Sequence, residues 1–96
     1  MAFYTYILEC SDGSFYTGHT DNLDQRFAQH QSGYITGYTF KRRPVELAWS
    51  EYFATRYEAL EAEKRIKGWT RAKKQALIAG DWTLLSELAR NSGDRR

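Results

Sequence analysis

The stretch Phe3-Tyr4-Thr5-Tyr6-Ile7-Leu8-Glu9, followed after Cys10-Ser11-Asp12-Gly13 by Ser14-Phe15-Tyr16-Thr17-Gly18-His19-Thr20, decides the fold. Both runs are rich in aromatic and β-branched residues, and Ser11-Asp12-Gly13 interrupts them as a turn, so the segment reads as a β-hairpin. Turn length then sets the register. A three-residue loop with Gly13 in the left-handed conformation pairs Cys10 with Ser14, Leu8 with Tyr16 and Tyr6 with Gly18, which puts Tyr6 and Tyr16 on one face. A two-residue Asp12-Gly13 turn shifts the pairing by one and sends the two tyrosines to opposite faces. If the tyrosines act together, the odd-length loop is required.

Downstream, Asp21 or Asn22 can cap a helix whose apolar positions Leu23 and Phe27 lie four apart and which ends near Ser32-Gly33. Arg26 and His30, one turn apart, share or border its buried stripe, a costly placement without a purpose. Residues 34–43 lack periodicity and end in Lys41-Arg42-Arg43 before Pro44, which reads as a loop. Val45 to Phe53 is predicted as a third strand, with Val45, Leu47 and Trp49 alternating onto one face. Thr55 with Glu58 forms a capping-box pattern for a second helix running to about Gly68. On it, Glu63 follows Ala59 by four and precedes Ile66 by three, so its carboxylate lies on the apolar side, whereas Glu58 and Glu61 can face outward. A third helix is predicted from Thr70 to Ala79, stopped by Gly80, and Asp81 caps a short last helix through Leu84, Leu85 and Leu88. Asn91 to Arg96 reads as a mobile tail. The expected fold class is α/β of the α+β type, a small three-stranded antiparallel sheet flanked by helices, as one domain over residues 1–90.

The 96 residues allow one modest core. A mean hydropathy of -0.70 and 27% charged residues predict a well-solvated surface. There is no apolar run of membrane-spanning length and no signal-peptide pattern, so a cytoplasmic protein without membrane association is expected. Cys10 is the sole cysteine, which excludes an internal disulfide and a Cys-based zinc site; it reads as a half-buried strand residue. The net charge of +2 favours nucleic acid only weakly. The positive charge is nevertheless concentrated in Lys41-Arg42-Arg43 and in Lys64, Arg65, Lys67, Arg71, Lys73 and Lys74, which suits either polyanion docking or ordinary solvated helix faces.

Taken singly, each polar residue has a structural explanation. Tyr6 and Tyr16 suit a cross-strand aromatic pair, and Arg26 and His30 a half-buried pair satisfied by carbonyls. Glu63 suits a salt bridge to Arg26. Their joint occurrence on separate elements facing one sheet points instead to a site.

The order and spacing of Tyr4-Thr5-Tyr6, Tyr16-Thr17-Gly18, Arg26, His30 and Glu63, together with Arg43-Pro44-Val45-Glu46-Leu47 and Glu58-Ala59-Leu60, resembles the GIY-YIG nuclease domain in its small stand-alone bacterial form. The resemblance runs from Phe3 to about Leu88. It implies a metal-dependent DNA endonuclease that hydrolyses phosphodiester bonds, weak or low in specificity, linked to DNA repair or recombination. By the same resemblance Tyr16 is the general base, Tyr6 positions the water or Tyr16, and His30 holds a tyrosine hydroxyl or a phosphate oxygen. A free phenol has a pKa of about 10, so neighbouring positive charge is needed to favour the phenolate. Arg26 offers its planar fork to the scissile phosphate. Glu63 supplies the one protein carboxylate to a Mg2+ or Mn2+ ion, and Gly18 leaves space for a nucleic acid strand. Tyr38, Lys41, Arg42 and Arg43 are expected DNA contacts, and a partner protein is expected to supply target specificity. The chain departs from the family pattern with Tyr4 and Thr5 in place of Gly and Ile and with Thr17 in place of Ile. Where many members carry an asparagine, it offers Lys73, Lys74 and Gln75. The rival expectations are a non-catalytic nucleic-acid-binding module acting through Lys41, Arg42 and Arg43, and a protein-interaction adaptor using the loop around Tyr34 and Tyr38.

Overall fold

The structure, a computed structural model, describes residues 2–93, with side chains through residue 90. The hairpin forms as the odd-length loop requires. Strand β1 (Phe3–Glu9) pairs antiparallel with β2 (Phe15–Thr20), with Tyr6 opposite Gly18 and Leu8 opposite Tyr16. Gly13 adopts φ 84°, the Cys10 N–H donates to the Ser14 carbonyl at 2.8 Å, and the Asp12 carboxylate accepts from the Ser14 N–H at 3.0 Å. Gly13 takes the left-handed position without the steric cost that a side chain would bring. Strand β3 (Glu46–Phe53) lies on the other side of β1, giving a three-stranded sheet of order β2-β1-β3.

Strand parity sorts the side chains onto two faces. Tyr6, Leu8, Cys10 and Val45 form one core, against which Tyr16 and the α1 (Leu23–Ser32) residues Leu23 and Phe27 pack. Ile7 forms the second core with Ile66 of α2 (Arg56–Lys67) and Leu77 of α3 (Arg71–Ala79), enclosed by Phe15, Trp49, Trp69, Ile78 and Leu85. Leu85 comes from α4 (Trp82–Gly93). The helix ends follow the expected chemistry: the Asn22, Thr55 and Thr70 side chains accept from the backbone N–H of Gln25, Glu58 and Lys73, and Gly33 and Gly80 close α1 and α3 at φ 85° and 71°. On the α2 face, the Thr5 hydroxyl donates to the Ala59 carbonyl at 2.7 Å and bonds sheet to helix.

Four expectations are corrected. Val45, Leu47 and Trp49 do not share a face. Ile7 pairs with Trp49 but Leu8 with Leu47, so Ala48 is an extra residue in β3 and this bulge reverses the alternation. Trp49 packs on the helical core while Leu47 is left 43% exposed. Second, β3 starts at Glu46, because both Val45 backbone groups are taken by a side chain: its N–H donates to Gln31 Oε1 at 2.8 Å and its carbonyl accepts from Gln31 Nε2 at 2.7 Å. Third, the last helix continues to Gly93, so Asn91 to Gly93 are helical backbone rather than tail, and residues 94–96 lie outside the described residues. Asp81 still begins this helix, accepting from the Leu84 N–H at 3.1 Å. Cys10, finally, is buried rather than half-buried.

Candidate active site

On the α1 face of the hairpin the two tyrosines meet as the register dictates, with ring centroids 6.4 Å apart. His30 reaches them from the last turn of α1, its ring 6.0 Å from Tyr6 and 5.0 Å from Tyr16, and only 1% exposed. The Tyr6 hydroxyl and His30 Nε2 are hydrogen-bonded at 3.0 Å, and His30 Nδ1 is bonded at 2.7 Å to the hydroxyl of Thr39, a fully buried loop residue. Burial and then the Arg26 charge hold His30 below its ordinary value, so the ring is kept neutral. Burial, with the neighbouring Tyr16, pushes Tyr6 well above the ordinary phenol value despite Arg26, so Tyr6 stays protonated.

Arg26 is half-buried one turn before His30, and among the described residues its guanidinium forms no ion pair. Tyr38 stacks on the other side of Tyr16, with centroids 6.1 Å apart and planes at 27°. Of the basic cluster, Arg42 lies 3.9 Å over the Tyr38 ring, donates to its carbonyl at 2.8 Å and pairs with Asp12 at 3.1 Å. Arg43 lies over Phe40 and donates to the Phe40 carbonyl at 2.8 Å. Both arginines, expected as DNA contacts, thus brace the loop over the tyrosines, and Lys41 alone of the three stands clear of such bonds among the described residues. Gly18 also has an internal reason. A Cβ there would come within 2.6 Å of the Tyr6 hydroxyl and 3.2 Å of the Tyr16 ring, so the space expected for a nucleic acid strand is already filled by the phenols.

Glu63 comes from the other layer. Its helix α2 packs on the opposite face of the sheet from α1, and its charge is the smallest of the influences that raise Tyr6. The carboxylate is paired on both oxygens. Oε1 is bonded to His19 Nδ1 at 2.5 Å and Oε2 to the Lys67 ammonium at 2.7 Å; Arg26, the partner expected on structural grounds, is not involved. Burial raises the Glu63 value, but the bonds from Lys67 and His19 outweigh it and hold the acid below the ordinary carboxylate range.

Sequence reasoning therefore overlooked Thr39 and His19. For His19 the signal was present, since strand parity opposite Tyr16 and Gly18 places it on the face that Glu63 covers. For Thr39, in a loop without period, there was none. Lys73 and Lys74 also leave the solvated basic set, Lys73 buried over the Trp69 ring at 4.7 Å and Lys74 lowered by burial.

A metal at this site has one protein acid to bind. No group of three or more acids, histidines or cysteines suited to an ion occurs among the described residues. An ionised, half-buried carboxylate does fit a hard cation that keeps most of its water. Concavities of about 240 Å³ around Glu9, Cys10 and Pro44 and about 360 Å³ around Tyr57, Glu61 and Arg65 hold none of these side chains. No helix among the described residues is long and apolar enough to cross a membrane.

Comparison with known proteins finds relatives of this chain. The model of the GIY-YIG catalytic domain matches residues 2–76. A UPF0213 protein of Bacillus pumilus is 51% identical over 75 residues, covering 78% of this chain and 76% of its own, and one of Natronomonas pharaonis is 42% identical over 78 residues, covering 81% and 92%. Among solved structures, the solution NMR structure of a UPF0213 protein of Bacillus halodurans superposes with a TM-score of 0.54 at 42% identity, covering 82% of this chain and 84% of that one. A second NMR structure, of a protein from E. faecalis, gives 0.59 at 40% identity, covering 86% and 88%.

Proposed function

The chain belongs to the GIY-YIG nuclease family, and from that premise we propose that it is a divalent-metal-dependent endonuclease that hydrolyses DNA phosphodiester bonds. The observation that carries this is the contact cluster Tyr6–His30–Tyr16, with the half-buried Arg26 one helical turn before His30. Tyr16, acting in its phenolate form, takes the proton of the attacking water and becomes the phenol. Arg26, with no ion pair of its own among the described residues, binds the scissile phosphate through its planar fork and stabilises the charge that grows there. His30 is neutral and so has one N–H and one acceptor nitrogen. If Thr39 donates to Nδ1, then Nε2–H donates to the Tyr6 oxygen, and the Tyr6 hydrogen is left to orient the water or Tyr16. Glu63 would hold Mg2+ or Mn2+, which when bound would supply Lewis-acid stabilisation of the leaving oxygen. Tyr38, Lys41 and the loop braced by Arg42 and Arg43 form the adjoining surface for the DNA strand.

The test is incubation of purified protein with supercoiled and branched DNA and either ion. Cleavage is expected, and Arg26→Ala and Glu63→Ala should each lower it about 100-fold or more. Cleavage that survives unchanged in both variants would belong to a contaminant. The doubly paired Glu63 carboxylate favours one other reading, a non-catalytic nucleic-acid-binding module. That reading requires salt-dependent DNA binding with no cleavage in any metal. A role in DNA repair or recombination, in the cytoplasm and with a partner protein choosing the target, is the setting in which a small, weakly specific nuclease makes sense.

A further inference from the structure

The two partners of the Glu63 carboxylate differ in kind. His19 projects from strand β2 and holds Oε1 from a fixed backbone. Lys67 lies one turn further along α2, its side chain 53% exposed, and reaches Oε2 through a flexible stem, while the Glu63 side chain is only 12% exposed. A Glu followed four residues later by Lys is a common surface pair, with both ends in water. Here the acid end is enclosed and its other oxygen is already bonded, so the ammonium stands at the remaining open side of the carboxylate.

That is where a divalent ion has to bind. A hard cation sits about 2.0–2.6 Å from a carboxylate oxygen, and the Lys67 nitrogen already stands 2.7 Å from Oε2. An ion on the same oxygen would stand beside the ammonium with little between them, and their like charges repel at such a separation.

We propose that Lys67 is a built-in competitor for the divalent-ion position at Glu63 Oε2, so that an ion binds only when the lysine swings out and the affinity of the site is set by that exchange. This rests on the reading of Glu63 as the metal-binding acid. His19 remains on Oε1 throughout and keeps the carboxylate oriented.

The experiment is a titration of the full chain with Mn2+ alone, without DNA, followed by the electron paramagnetic resonance signal of the free ion, with circular dichroism melts to verify folding. Lys67→Gln removes the competing charge at an exposed end and should tighten Mn2+ binding about three- to ten-fold, the inverse of the fraction of time the pair is open. Lys67→Arg keeps a cation and should bind like the wild type, and Glu63→Gln should lose the site. Equal or weaker binding by Lys67→Gln, or tightening by Lys67→Arg as well, overturns the competition while leaving Glu63 as the ligand. Binding indifferent to Glu63→Gln, or no binding in any variant, overturns the metal reading and the competition with it.

Discussion

Thr17 occupies the middle of the second tyrosine motif, where the family pattern has an isoleucine. It is 3% exposed, faces the helical core opposite Ile7, and its Oγ1 has no hydrogen-bond partner among the described residues. Its neighbour on the same face, Thr5, differs only in finding the Ala59 carbonyl. A buried hydroxyl without a partner costs about 1–3 kcal/mol. Thr17→Val should therefore stabilise the protein by about 1 kcal/mol, read as a rise of about 4–8 °C in the thermal midpoint. An unchanged or lower midpoint would mean that the hydroxyl finds a partner, such as water. At Gly18, one residue on, the constraint is reversed. There the missing side chain lets both phenols cross the strand, so the tyrosine spacing and the glycine are one device.

Among the elements, α1 and the residue before β3 are joined by a side chain acting as backbone. Gln31 gives its amide N–H to the Val45 carbonyl and its oxygen to the Val45 N–H, as a neighbouring strand would. Val45 is in turn buried against Tyr6 and Leu8, beneath the helix that carries Arg26 and His30. Gln31→Leu leaves a backbone donor and an acceptor unpaired and should cost about 1–3 kcal/mol, lowering the urea midpoint. Gln31→Glu keeps the acceptor and should fall between the two. Equal midpoints for all three would show that water replaces the amide. The bulge at Ala48 has a similar scale: one inserted residue turns Trp49 into the helical core and Leu47 out of it, which period-two reading of a single strand cannot foresee.

For the molecule as a whole, the buried His30 links folding to pH. Its folded value is depressed below the ordinary 6.5, so the unfolded chain binds more protons across that interval and stability rises with pH. The contribution is complete above about 6.5 and is lost as pH falls toward the folded value. Glu63, depressed below the ordinary 4.5, adds a second loss at more acid pH. Urea midpoints should thus fall between pH 7.5 and 5.5, and His30→Gln should flatten that slope; an equal slope in the variant would assign it to other groups. Much of this architecture was legible in the chain. The hairpin register, the capped helices and the pairing of Tyr6 with Tyr16 follow from turn length, caps and strand parity, which are local rules acting over a few residues. Arg26, His30 and Glu63 were placed on the correct helices by the same periodicities. The partners from other elements were not: Thr39 for His30, His19 for Glu63, Gln31 for Val45, and Asp12 for Arg42. Periodicity says which face of its own element a side chain takes, whereas hydrogen bonds between residues 9 to 44 positions apart depend on how separate elements pack, and only the folded chain decides that.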